Sequence, residues 1–475
     1  MTGTTRARVR AEALAALTAL TALTTAGAIG AAAALAPPAA AASPGGFSYH
    51  GGELELVALD LPTGAVSGLA TDMNDDGVVI GQVWDEAFGG SGVVWRDGVP
   101  TSIPDTIPLA VNDSGQVAGI RFPSTGPNRG FVWTDGTLTT LEPTDPGPNR
   151  YSFASAIGAD GTVVGLSGTD SPMMTGGAGE PAAEEPENGP TEAGQTTAGQ
   201  PGTGQTGTGE AATGSAAENG GTVSDYPGAT DTRATVWRDG NAVDLGTLGG
   251  SWSSAELING HGQVAGISAT ADGQQHAFLS GPGGLRDLGT LGGSYSTPVD
   301  INDRGQVVGV SETADGHGHA FLWENGRMRD LGTSAGFTES SATAINERGQ
   351  VLVESHEAPA YPVEGGIGGE SVQKYPAFTS AASVWTAGQL QPVTGLGGDT
   401  ASPADLADDG TVIGSATTLD GVDRPWVWVD GESHDLRGPA PLQSGSVAGI
   451  NRSGLLVGYL GSPNGNQVPV VWRRG

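Results

Sequence analysis

DLGTLGGSYSTPVDINDRGQVVGVSETADGHGHAFLWENG, residues 287–326, decides the fold. Within it INDRGQVVG (301–309) carries Asn302 and Asp303 at early turn positions and Gly305 where a positive φ is wanted. That order reads as two short strands joined by a type I turn with a Gly bulge. Val307 and Val308 open a brief apolar strand that stops at Gly309. Further on, Phe321 and Trp323 alternate with Ala320 and Leu322, which places the two aromatics on one face of another strand.

Working outward, the turn phrase recurs as MNDDGVVIG (73–81), VNDSGQVAG (111–119), IGADGTVVG (157–165), INGHGQVAG (258–266), INERGQVLV (345–353), LADDGTVIG (406–414) and INRSGLLVG (450–458), eight copies in all. A Trp phrase follows every one: VVWRDG (93–98), FVWTDG (131–136), TVWRDG (235–240), AFLSGPGG (277–284), AFLWENG (320–326), SVWTAG (383–388), WVWVDG (426–431) and VVWRRG (470–475). A third element, clearest as Asp-Leu, stands at 244–251, 287–294, 330–336 and 435–436. The unit is about 43 residues long and supplies three or four short strands.

One unit cannot fold alone. Burying a Trp removes about 150–250 Å² from water, worth roughly 4–6 kcal/mol at about 25 cal/mol per Å². Ordering the backbone costs about 1–2 kcal/mol for each residue fixed, so stacked neighbours must share the burial. The expected fold is therefore all-β, a β-propeller of about eight blades. Seven blades plus a cap, or an open β-solenoid array, are the alternatives, although this period suits a four-stranded blade better than a solenoid coil. ELELVALDL (53–61) is an orphan strand ahead of the first copy, and the chain ends on a Trp strand. Such ends predict a ring in which the N-terminal strand completes the last blade and leaves only short protected edges.

H-A-F-L-W at 319–323, set between DLGTLGG and INDRGQVVG on one side and DLGTSAG on the other, resembles the HAF family of bacterial extracellular repeats. His276-Ala277-Phe278 fits as well, and the similarity is strongest over 233–350. Copy four has Ser280 for the Trp, copy six has Val353 for the closing Gly, and copies one, two, three, seven and eight lack the His-Ala-Phe itself. The resemblance implies an extracellular location and a repeat architecture, with no catalytic signature to carry over.

Ahead of the repeats, Arg6, Arg8 and Arg10 precede an apolar stretch from Ala13 to Ala36 and then PPAAAAS at 37–43. That is the order of a secretory signal peptide, assigned to 1–42 with cleavage near Ala42. An uncleaved anchor is the other reading, disfavoured because Ala and Thr dominate where Leu and Ile would be expected. The remainder, 43–475, is one repeat domain, expected to be secreted, bacterial, without a membrane span after cleavage, and monomeric.

Net charge is −32 with 20 basic residues, so no clustered Lys/Arg footprint is available for phosphate and nucleic acid is excluded as a partner. The absence of cysteine excludes disulfides, thiolate metal sites and a lipidated cysteine. Two insertions break the period. Residues 168–232 are Gly, Thr, Ala, Glu and Pro with acids and no bases, which predicts a disordered acidic loop. The second, 354–378, contains Tyr361, Lys374 and Tyr375, a candidate contact surface or a segment packed across the ring.

Three sets of side chains invite a chemical reading. Asp72, Asn74 and Asp76 match the first half of a calcium loop, but Val83 stands where the bidentate Glu belongs, and the same positions form the ordinary repeat turn. His317 and His319 would share one face of a strand and could give a metal two nitrogens. Since His276 repeats His319, a structural imidazole bonding to backbone is the preferred reading, and no resident cofactor is expected. No nucleophile elbow, phosphate loop, helical zinc motif or isolated carboxylate pair occurs. The expected function is a non-enzymatic binding or scaffold module for an extracellular protein or glycan. A polysaccharide hydrolase or lyase with carboxylates converging on the channel, and a calcium-stabilised adhesive repeat, are the two further readings.

Overall fold

The computed structural model describes residues 41–42, 48–49, 52–147, 149–169, 231–357, 379–440, 442, 444–462 and 464–474. Most of the expected signal peptide, and most of both insertions with Tyr361, Lys374 and Tyr375, lie outside these residues. The described part is all-β and forms eight blades of four antiparallel strands. Blade 1 is Ala65–Met73, Val79–Asp85, Gly90–Arg96 and Val99–Pro104; blade 5 is Gly292–Ile301, Val307–Thr313, Gly318–Glu324 and Arg327–Asp330. Blades 4 and 5 touch edgewise through a single parallel bridge between Gln275 and Tyr295. First strands contact one another all the way round, with that of blade 8 (Ser444–Ile450) against that of blade 1. They are the inner strands of a closed ring. The fold is an eight-bladed β-propeller.

Closure uses the orphan strand. Gly52–Ala58 pairs with Gln467–Arg474, from Leu54 opposite Arg474 to Ala58 opposite Val470, and becomes the outer strand of blade 8. Ala41–Ala42 adds to its far edge opposite Leu56 and Glu55. Leu54 and Leu56 share a core with Trp472, while Leu59 belongs to the next core with Trp95. The same few residues therefore fasten blade 8 to blade 1. Seven blades and an open array are both set aside by this pairing.

The repeat phrases map onto the blade. In the turn phrase, Gly305 at φ 70° donates its N–H to Asn302 O and Asn302 N–H reaches Gln306 O, the hydrogen bonds of a type I turn with a Gly bulge. In the Trp phrase the Asp-Gly and Asn-Gly pairs, such as Asp97-Gly98 and Asn325-Gly326, both have positive φ and make two-residue hairpins to the outer strand. Every inner strand carries a β-bulge, in blade 5 between Pro298 and Asp300. A Cβ on the phrase-closing Gly309 would stand 2.0 Å from Thr297 O, so glycine lets the bulged inner strand come close. Blade 6 keeps its bulge between Ala342 and Ala344 with Val353 in that place, for which we have no physical account.

The turn Asn joins blades. Its Oδ1 accepts within its own turn, and its Nδ2 donates to the carbonyl of the equivalent residue one blade on. These bonds run Asn74 to Asn112 (2.9 Å), Asn112 to Gly158 (3.0 Å), Asn259 to Asn302 (3.0 Å), Asn302 to Asn346 (3.2 Å) and Asn346 to Ala407 (3.1 Å). Asn451 to Asn74 (3.1 Å) closes the circuit, and only blades 3 and 7, with Gly158 and Ala407, lack the donor. The opposite end has a serine counterpart: Ser253, Ser296 and Ser340 each accept from a third-strand N–H of the preceding blade. Replacing Asn302 by Ala takes from buried Asn346 O one of its two donors, leaving Gly349 N–H, and strips the N–H groups of Arg304 and Gln306 of their side-chain acceptor, an expected loss of about 2 kcal/mol. Urea unfolding should show a lower midpoint at unchanged slope; an unchanged midpoint would contradict the staple.

Candidate binding face

The ring has two unlike faces. One carries the consensus turns, Asn-x-x-Gly at the centre and Asp-Gly outside. The other carries the starts of the inner strands and the hairpins between second and third strands, and on it the described residues break off after Thr169 in blade 3 and just beyond His356 in blade 6. The second insertion thus begins later than the sequence suggested, because Glu354, Ser355 and His356 are still paired with Ala382, Ala381 and Ser380.

Departures from the repeat gather on that second face. At the position seven residues before the turn Asn, or before its Gly158 counterpart, stand Tyr151, Trp252, Tyr295 and Glu339. At the end of the second strand stand Trp84, Phe122, Glu312 and His356. All except the buried Tyr151 are half-buried, so they present surface without being loose. The aromatic rings fall in blades 1 to 5, where Trp84, Phe122, Trp252 and Tyr295 supply flat apolar area, and the carboxylates Glu312 and Glu339 in blades 5 and 6.

Blades 5 and 6 hold the densest part. His317 Nδ1 meets Glu339 Oε1 at 2.9 Å, which holds the imidazole above its usual value, and the other oxygen of Glu339 accepts from Gly318 N–H. Glu312 Oε2 accepts from Ser294 Oγ at 2.7 Å. Tyr295 lies in the field of both carboxylates, so its phenol is pushed up first by burial and then by Glu339 and Glu312. His356 is lowered by burial, which outweighs the attraction of Glu339. Glu354, where half of the blades have Val, Ile or Leu, is raised by burial against hydrogen bonds from Ser380 and Ser402.

At the axis, the bulged residues Thr71, Leu109, Ser155, Glu256, Val299, Thr343, Ala404 and Ala448 form a collar. Glu256 is the one acid among them. It is half-buried, and burial alone pushes its carboxyl up to about 8, so it is mostly protonated at neutral pH. Nothing in its local sequence, Ala-Glu-Leu, distinguishes it from a solvated glutamate.

The residues singled out from sequence have other duties. Asn74 is buried, its Oδ1 accepting from Val78 N–H and its Nδ2 committed to Asn112. Asp72 is half-buried on the inner strand, and exposed Asp76 borders a shallow cleft with Asp75, Ser453 and Arg473. Among the described residues no group of three or more His, Asp or Glu is placed to hold a metal. The His-x-His pair divides: His317 turns to Glu339, whereas His319 meets Asp330 at 3.0 Å. His276 meets Asp287 at 2.8 Å. The expectation of imidazole bonding to backbone is therefore corrected, because the third strand sets His319 against the Asp of the outer strand's Asp-Leu-Gly. Arg424 with Asp435, Arg233 with Asp244 and Arg129 with Glu142 fill the same slot elsewhere. The signal was present as a cation eleven or thirteen residues before an acid, and strand pairing was needed to read it.

No protein-family model and no curated protein matches the chain. Among solved structures it is similar to TolB from Acinetobacter baumannii, at 11% identity and TM-score 0.29, covering 51% of this chain and 60% of that one. It is also similar to an acylaminoacyl peptidase from Pyrococcus horikoshii, at 13% and 0.41, covering 85% and 59%. A puromycin-hydrolyzing peptidase from Mycobacterium tuberculosis gives 11% and 0.42, covering 84% and 57%. The chain spans about 60% of the length of these proteins. At such identities and TM-scores no activity transfers to it.

Proposed function

We propose that this chain is a secreted, non-enzymatic binding module of the HAF type that holds a glycan on the variable face of its propeller. The observation that carries the reading is segregation. One face repeats the turn consensus, whereas the other collects Trp84, Phe122, Trp252 and Tyr295 from blades 1, 2, 4 and 5, with Glu312 and Glu339 near Tyr295. Sugar rings present C–H faces that stack on aromatics and hydroxyls that donate to carboxylates, so a half-buried mixture of the two suits a polyhydroxy ligand. Charge favours it too, since an acidic surface repels nucleic acid and anionic lipid. Among the described residues no helix is long and apolar enough to cross a membrane.

The test is retention of the purified mature chain on a panel of immobilised polysaccharides. At least one should retain it, and Trp252→Ala with Tyr295→Ala should cut retention tenfold or more at an unchanged melting temperature. Retention that survives both substitutions moves the site off this face. Release of soluble sugar would replace the binding reading with a hydrolase acting through the same carboxylates.

A further inference from the structure

Five blades join their second and third strands by the same hydrogen-bonded turn on the variable face. In blade 4 it runs from Thr270 to Gln274, and blades 5, 7 and 8 repeat it from Thr313, Thr418 and Ser462, always with glycine in fourth place. Gly273, Gly316, Gly421 and Gly465 have φ of 84°, 87°, 77° and 84°, and each donates its N–H to the carbonyl of the first residue. Blade 1 makes the same two backbone bonds between Asp85 and Gly89, but its fourth residue is Phe88, at φ 61°. A side chain in that region crowds its own backbone, and a bulky one is an outlier. The other seven non-glycine residues with positive φ among the described residues are Asp, Asn or Ala.

Packing does not account for this ring. Phe88 is 65% exposed, so its burial recovers little of what the strained backbone costs. The turn is built to hold it in place nonetheless, with Asp85 Oδ1 accepting from Ala87 N–H at 2.9 Å and from Gly89 N–H at 2.7 Å. Strain maintained in this way is where function is to be sought.

The same turn forms one wall of a cleft. Gly64, Ala65 and Val66 face Asp85, Glu86 and Ala87 across an open space of about 440 Å³, within the range of small-molecule sites. Val66 is fixed from blade 8, since its carbonyl accepts from Asn466 Nδ2 at 3.1 Å. Phe88 follows directly on the wall residues. Trp84 precedes them, its indole Nε1 lying across Gly90, where a Cβ would stand 3.4 Å from it. One exposed ring beside one cleft is far smaller than a protein interface, which takes about 800 Å² from each partner. It matches a single sugar unit, whose C–H face stacks on an aromatic and whose hydroxyls donate to a carboxylate, whereas an anionic sugar would be repelled by Asp85 and Glu86.

Resting on the glycan reading above, we infer that the blade 1 turn is a subsite for an uncharged sugar unit, with Phe88 as its stacking platform and Glu86 as its hydroxyl acceptor. Four other blades keep glycine where this one carries that ring.

The experiment titrates hexamers of glucose, mannose and xylose calorimetrically into the full mature chain, with the galacturonate hexamer as the charged comparison. At least one neutral hexamer should bind about tenfold more tightly than the galacturonate, and Phe88→Gly should weaken that binding by about tenfold. The same variant should unfold at the parent's urea midpoint or above it, because it restores the residue this turn favours. Phe88→Tyr, which keeps the ring, should recover binding to within about threefold. A lower midpoint for Phe88→Gly would assign the ring to the fold, and unchanged binding would take it out of the glycan site. Either result overturns the subsite and leaves the glycan reading to Trp252 and Tyr295, as does equal or tighter binding of galacturonate. If none of the hexamers binds, the subsite falls, and retention on the polysaccharide panel decides whether the glycan reading falls with it.

Discussion

A chain lacking residues 43–62 should lose at least about 5 kcal/mol of stability and unfold without a single cooperative transition, because the deletion opens the ring. Removing Gly52–Ala58 strips Gln467–Arg474 of its outer neighbour along five residue pairs. It also empties two buried leucine positions, Leu54 and Leu56, from the core around Trp472. Deleting a buried leucine side chain costs about 2–5 kcal/mol by itself, against a global stability of about 5–15 kcal/mol. The loss does not stay in blade 8. Trp95 Nε1 of blade 1 donates to Asp60 O at 2.7 Å, and Leu59 packs in the blade 1 core, so both sides of the joint lose partners. The turn asparagines would all remain in the truncated chain, but Asn451 and Asn74 would have to hold the joint without the sheet behind them. An exposed strand edge should also make the truncated chain prone to associate. Urea unfolding of the purified truncation, followed by tryptophan fluorescence, gives the answer. In an open array each blade depends only on its neighbours, and deleting a terminal strand would leave most of the transition in place. A truncated chain with the full-length midpoint and slope would therefore refute closure.

Much of the scaffold was legible because the sequence states each local rule eight times. Asn302 and Gly305 specify a turn, Trp323 a buried strand, and ELELVALDL a strand with no hairpin partner of its own, which is enough to propose a ring. The bulges were not legible. A bulge is a property of register between two strands, and Val299 or Glu256 becomes the extra residue only once Gly309 or Gly266 is paired. His319 and Asp330 were both visible as consensus residues, yet their contact depends on the two-residue hairpin at Asn325-Gly326 that folds the outer strand back. The binding face was hidden for a different reason. Its residues are those that break the pattern, so a reading that searches for repetition passes over Trp252, Tyr295 and Glu339 as noise. The useful signal is variation at one fixed distance before the turn Asn, and only the fold says that this distance reaches the opposite face. Glu256 combines both difficulties, being a bulge residue and an exception within its row.

Replacing Glu256 by Gln should stabilise the propeller, by an amount that grows with pH. The carboxyl has an ordinary value of 4.5 when the chain is unfolded and about 8 in the ring. Between those values the native state holds a proton that the unfolded state has released, so this group makes folding progressively less favourable as pH rises through that window. Below the lower value both states are protonated and the effect vanishes; above the upper one it is complete. The full shift corresponds to about 5 kcal/mol at 1.36 kcal/mol per pH unit, and water reaching a half-buried carboxyl reduces the realistic figure to about 3 kcal/mol. Glutamine keeps the shape and cannot ionise. The gap between variant and parent in chemical denaturation should therefore be within about 0.5 kcal/mol at pH about 4 and near its full value at pH about 9. Every other titrating group is common to both proteins, including His317, whose bond to Glu339 stabilises the fold at low pH and is lost as pH rises. The difference isolates one carboxyl. A gap that stays constant across this range would mean that Glu256 is hydrated and ionised in the folded ring.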